Sequence, residues 1–83
     1  MSTVPRFTLL GRADCELCEE MLAELRSFCG SRAVVIEVVD VDADPKLRRR
    51  FGHKVPVLLF DGEPICHGRL DAPEVERLLQ RAT

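Results

Sequence analysis

GRADCELCEEM, residues 11–21, is the stretch on which the reading of this chain turns. Two cysteines, Cys15 and Cys18, stand between a short apolar run, RFTLL (Arg6 to Leu10), and a helical pattern. They are a redox pair, half of a metal site, or small apolar residues at the start of a helix. The pattern behind them is plain. Cys18, Met21, Leu22, Leu25, Phe28 and Cys29 recur at offsets of three and four, which predicts one buried helix face, with Glu19, Glu20, Glu24 and Arg26 outside. Gly30 follows the last apolar turn, where a glycine commonly ends a helix.

Working outward, RFTLL reads as a strand that stops at Gly11. AVVIEVVDV, Ala33 to Val41, is β-branched and almost continuously apolar, and so predicts an interior strand covered on both faces. DADPKLRRRFG predicts a short helix capped by Asp44, with Pro45 in its first turn, Leu47 and Phe51 on one face and Gly52 at its end. Arg48, Arg49 and Arg50 fall near its C-terminus, where the helix dipole favours positive charge, and read as a solvated helix end. VPVLLF (Val55 to Phe60) is a third strand, Asp61-Gly62 a hairpin turn, and PICH (Pro64 to His67) an antiparallel edge strand. A last helix begins near Asp71, with Glu74 placed for a capping box and Val75, Leu78, Leu79 and Ala82 as its apolar face. The order is β-α-β-α-β-β-α. Its first β-α-β unit requires a parallel pair with a right-handed crossover, and the closing hairpin adds antiparallel strands. A mixed four-stranded sheet flanked by helices, an α/β arrangement, is the minimal form of the thioredoxin fold.

Composition narrows the function. The 83 residues make one domain, 46% hydrophobic, with no repeat or linker. The 12 basic and 14 acidic residues are interspersed and sum to −2, which offers no electrostatic case for nucleic acid or an anionic membrane. MSTVPRFTLL lacks the apolar core and cleavage site of a signal peptide, and no run approaches the roughly 20 apolar residues of a membrane span. The expectation is a cytoplasmic protein, in whose reducing surroundings four cysteines are not a structural disulfide framework.

The chemistry of a thiol at a helix start then favours the redox reading. Free backbone N–H groups and the positive end of the helix dipole stabilise a thiolate, the form that attacks disulfides. Cys15 occupies that place in an accessible loop, and Cys18, one turn on, belongs to the apolar face. The asymmetry suits an exposed nucleophile and a shielded resolving thiol. Zinc would need two more ligands. The remaining pair, Cys66-His67, lies in a strand, where neighbouring side chains point to opposite faces. Cys29 and Cys66 otherwise read as small buried residues, and His53 as a solvated loop residue. Val55-Pro56 is unusual because proline cannot donate to a sheet ladder; its plain reading is the opening residue of an edge strand.

Together GRADCELC, DVDADPKLRRRFGHKVPVLLFDG and His67-Gly68 resemble the glutaredoxin branch of the thioredoxin superfamily, in particular its small bacterial glutaredoxin-like proteins. The resemblance spans nearly the whole chain. It implies a thiol–disulfide oxidoreductase with Cys15 as nucleophile and Cys18 as resolving thiol. It further implies a cis bond before Pro56, and a substrate groove formed by the Val55 backbone with Arg12, Lys54, Gly68 and Asp71. Substrates of that class are disulfide-bearing proteins or glutathione mixed disulfides, a thiol reductant recycles the pair, and no bound cofactor or metal is implied; glutathione enters as a co-substrate. This chain departs from the family at Glu16 and Leu17, which replace a proline and an aromatic residue, and at Leu70, which stands at the first of two acidic positions and leaves only Asp71. Asp14, Glu16, Glu19 and Glu20 surround the pair with charge that disfavours a thiolate and repels anionic glutathione. The expectation is a reducing pair, nearer roughly −270 mV than roughly −120 mV, acting on protein disulfides. A different class, a binding module of the same fold without redox turnover, stays open on the same departures.

Overall fold

The computed structural model describes residues 4–82. Strand β1 (Arg6–Gly11) leads to helix α1 (Glu16–Cys29), strand β2 (Val35–Asp40), a 3₁₀ turn (Val41–Ala43), helix α2 (Pro45–Phe51), strands β3 (Val57–Phe60) and β4 (Glu63–His67), and helix α3 (Ala72–Ala82). The four strands form one mixed sheet in the order β2-β1-β3-β4. β1 runs parallel to β2, with Phe7 beside Ile36 and Leu9 beside Val38, and antiparallel to β3.

The sheet divides the core in two. Phe7, Leu9 and Leu58 pack with Met21, Leu25 and Cys29 of α1 and with Val75 and Leu79 of α3. On the opposite face Leu10 and Val57 meet Val41 and Phe51. The two-residue repeat of a strand explains the split, since Leu9 and Leu10 necessarily face opposite ways. Phe7 and Phe60 meet as a tilted ring pair, 5.0 Å between centroids and 54° between planes, across the β1–β3 pair.

Local signals place the ends of the elements. Gly30, at φ 54°, ends α1 and donates its N–H to the Arg26 carbonyl at 2.9 Å. The Asp44 side chain accepts from the Lys46 N–H and Pro45 sits at the start of α2. Asp61 and Gly62 both take positive φ, as a tight hairpin requires, and the Asp61 carboxylate also accepts from the Arg6 N–H at 3.0 Å.

Several expectations need correction. The run Ala33 to Val41 is not an interior strand: its strand-forming part, β2, is a sheet edge, with Val38 54% exposed. β1 and β3 are the strands that lie between neighbours. Which strand lies inside is decided by the crossover and the hairpin, and a strand's own composition does not decide it. Val41 to Ala43 leave the strand as a 3₁₀ turn, because the Asp40 side chain accepts from the Asp42 N–H and bends the chain. Phe28 stands at the margin of the α1 face and is 36% exposed. The box at α3 is half formed: Asp71 accepts from the Glu74 N–H at 3.2 Å, while the Glu74 carboxylate holds Arg77 at 2.8 and 2.6 Å. The Ala82 side chain lies outside the described residues.

Candidate functional site

Cys15 is the N-cap of α1 and Cys18 lies in its first turn, and the two are joined as a disulfide with Cα atoms 5.2 Å apart. The loop before them makes this placement. Asp14 takes φ 58°, a left-handed conformation that aspartate tolerates, and so turns the chain from the end of β1 into the helix. The Cys15 carbonyl accepts from the Glu19 N–H at 3.1 Å, and the Cys15 sulfur from the Cys18 N–H at 3.2 Å. A backbone donor of the first turn, without an intrahelical partner, is therefore aimed at the outer sulfur. Cys15 is half-buried and Cys18 buried at 7% exposure. Cys15 is thus the outer sulfur of the pair and Cys18 the inner one.

Gly11 supports them from beneath. A Cβ at this position would stand 3.3 Å from both Cβ and Sγ of Cys18, so glycine is what lets the helix start lie so close to β1. Asp42 is the second residue that sequence reasoning passed over. Its carboxylate takes Arg12 in a fork, Nε at 2.7 Å and the second guanidinium nitrogen at 3.0 Å, while the third nitrogen donates to the Gly52 carbonyl at 3.0 Å. These contacts strap the loop before Cys15 to the 3₁₀ turn and to the end of α2. The hydrogen bonds from Arg12 hold the Asp42 carboxyl below its ordinary range, and Asp42 raises Arg12 in return. Their separation of 30 positions leaves no local signal, although the alternating Asp40, Asp42 and Asp44 mark an acidic turn.

The other expected site residues divide into two places. The Val55–Pro56 peptide bond is cis, Pro56 is buried, and its carbonyl accepts from the Gly68 N–H at 2.8 Å, which brings Pro56 and Gly68 together. Gly68, at φ 78°, and Leu70 line a narrow groove against Leu17, Glu20 and Met21 of α1. Asp71 caps α3 just beyond. Lys54 is exposed and lines a separate hollow with Phe51, Cys66 and His67. His53 is exposed as well. Cys29 is buried and Cys66 half-buried, and burial pushes both thiols upward. Among the described residues no group of three or more His, Cys, Asp and Glu is arranged to hold a metal ion.

A family model, "Glutaredoxin-like domain (DUF836)", matches residues 6–80, from the first residue of β1 into the last turns of α3. The chain belongs to that family. The glutaredoxin-like chain is 38% identical over 85 residues to uncharacterised proteins of Mycobacterium tuberculosis and Mycobacterium bovis, covering 95% of this chain and 87% of theirs. It superposes on the solution structure of protein Ne2328 from Nitrosomonas europaea with a TM-score of 0.82 at 30% identity, over 94% of each chain. A mutant thioredoxin from Halobacterium salinarum matches with a TM-score of 0.63 at 21% identity, over 95% of this chain and 74% of that one, a likeness of fold. The glutaredoxin-like domain is therefore a small thioredoxin fold with a cysteine pair at the start of its first helix.

Proposed function

We propose that this protein is a thiol–disulfide oxidoreductase that reduces disulfides in other proteins. The observation that carries the reading is the Cys15–Cys18 pair at the head of α1, with the half-buried Cys15 sulfur accepting from the Cys18 N–H and Cys18 buried behind it. A backbone donor at the outer sulfur stabilises charge there when Cys15 leaves or attacks as a thiolate.

In the cycle, the Cys15 thiolate attacks one sulfur of a substrate disulfide and releases the other as a thiolate. The mixed disulfide so formed is attacked at the Cys15 sulfur by the Cys18 thiolate. The second substrate thiol leaves, and two electrons have passed from the dithiol to the substrate. A thiol reductant restores the pair. Val55 offers backbone to an extended substrate beside Pro56, and Gly68 and Asp71 flank the approach. Arg12 supports a preference for protein disulfides over glutathione mixed disulfides, because three of its N–H directions are already committed to Asp42 and Gly52. Exposed Asp14, Glu16, Glu19 and Glu20 add repulsion toward a small anion. The reading includes a cytoplasmic setting; no described helix is long and apolar enough to cross a membrane.

The test is a redox titration in defined dithiol buffers, with alkylation and mass measurement reporting the pair. A single two-electron transition at a reducing potential, with turnover abolished by Cys15→Ser, supports the oxidoreductase. A pair that neither forms nor breaks across the range leaves a binding module of the same fold.

A further inference from the structure

The sheet has two edges, and the chain treats them differently. β4 carries Pro64, which has no N–H to offer, and a register shift opposite Leu58 and Leu59, both of which blunt an edge against pairing. β2 has neither device. It holds regular register with β1 along all six of its residues, and among the described residues no strand pairs with its other side. Val38 is 54% exposed there and Val35 37%. A regular, open edge invites another strand.

A cleft of about 400 Å³ opens beside this edge, between α1 and the C-terminal halves of β1 and β2. Leu9, Leu22 and Val38 give it apolar walls, and Cys18 adjoins it. Strand geometry determines what would reach it. Val38 is in register with Leu9, which packs under α1, so Ile36, Val38 and Asp40 face the same side of the sheet as that helix. A strand added to the outer side of β2 would hold its residue opposite Val38 over the cleft. Its residue two positions away would lie beside Asp40.

Charge selects the partner. Asp40, Glu19 and Arg12 surround the cleft, and Arg12 is already matched by Asp42. The uncompensated charge is therefore negative. On the other face Glu37 lies 3.6 Å from Arg6. β2 contains Glu37 and Asp40 and no basic residue, so pairing it with a second copy of itself would set acidic strands side by side. A basic strand relieves that repulsion.

We infer that the β2 edge and its cleft bind an extended segment of another protein, in which an apolar residue and a lysine or arginine stand two positions apart. The segment adds as a fifth strand, seats its apolar side chain against Val38 and Leu22, and turns its cation toward Asp40 and Glu19. This surface lies on the far side of β1 from Pro56, because β2 and β3 flank β1 on opposite sides. It requires no thiol chemistry, so it stands or falls independently of the redox cycle. A bound segment would also cover the cleft side of Cys18, which places a second contact surface against the back of the cysteine pair.

The probe is an acetylated and amidated peptide, Thr-Val-Thr-Lys-Thr-Val-Thr, in which valine and lysine stand two positions apart on one strand face, titrated into isotopically labelled full-length protein and followed by amide and methyl shifts. The expected result is that the largest shifts fall on Ile36, Val38, Asp40 and Leu22, with cross-strand contacts to β2. Val38→Lys and, separately, Glu19→Lys should each weaken binding, the first by about tenfold or more from lost apolar burial. Both positions are exposed, so the two variants check one another for folding. The inference is overturned by any of four results: no saturable binding; shifts centred on Val55 to Val57; equal binding of the same peptide with glutamate in place of lysine; or free protein that sediments as a dimer with β2 amides protected, which would make the second copy the occupant.

Discussion

Replacing Gly11 by alanine puts one carbon into the closest contact beneath the cysteine pair. The new methyl would lie 3.3 Å from both Cβ and Sγ of Cys18. Comfortable carbon contacts begin near 3.5 Å, so the neighbours must yield by a few tenths of an ångström. Inserting a methyl group into a well-packed interior costs about 1–3 kcal/mol. How that cost divides between the redox states is the informative part. The Cβ contact is present in both. The Sγ contact belongs to the disulfide, since in the dithiol the Cys18 sulfur can turn about its own Cα–Cβ bond. Gly11→Ala should therefore destabilise the oxidised protein more than the reduced one. If the whole cost fell on the disulfide, the potential would rise, becoming less negative, by about 20–60 mV, since 30 mV corresponds to about 1.4 kcal/mol for two electrons. A redox titration by alkylation and mass, run beside urea melts of both forms, measures the two shares separately. An unchanged potential with unchanged melts would refute the close-packing argument. A fall in potential would refute the assignment of the sulfur contact to the disulfide.

Leu25, fully buried in the core between α1 and the sheet, gives a test of packing: Leu25→Ala should cost about 2–5 kcal/mol in urea unfolding, a large share of the roughly 4–12 kcal/mol available to a chain of this size. Acid should release the straps. The carboxyls of Asp42 and Glu74 are held below their ordinary values of 3.8 and 4.5 by hydrogen bonds from Arg12 and Arg77, so their contribution is fully present above those values and is lost as pH falls through the lowered ones. Carboxyl NMR titration should find both titrating below their ordinary values, and Asp42 should return toward its own in Arg12→Gln. In the reduced protein, iodoacetamide at neutral pH should label Cys15 first and Cys29 and Cys66 last, because burial raises both of the latter thiols and shields them. Labelling of Cys66 ahead of Cys15 would contradict that ordering.

Much of the site could be read along the chain because its parts are local. The Cys15–Cys18 spacing, the apolar repeat from Cys18 to Cys29 and the glycine after it define a helix with a thiol at its head, and helices are built from contacts three and four residues apart. Asp44-Pro45, Asp61-Gly62 and Asp71 likewise mark turns and caps through chemistry that reaches only a few residues. The order of elements then restricted the topology to a parallel pair and an antiparallel hairpin, which is the sheet observed.

What the chain order left open was settled by contacts distant in sequence. A β-branched apolar run looks the same inside a sheet or at its rim, so only the assembled strand order reveals that β2 is an edge and that Val38 borders a cleft. Arg12 reads as a free cation near the cysteines until Asp42, 30 residues on, is folded against it and takes its donors. Gly11 reads as a strand terminator until α1 returns over it and makes its missing side chain the condition for seating Cys18. Propensity and capping act within a turn or two and are written in neighbouring residues; strand order, ion pairing and close approach arise only when the sheet and helices close on one another.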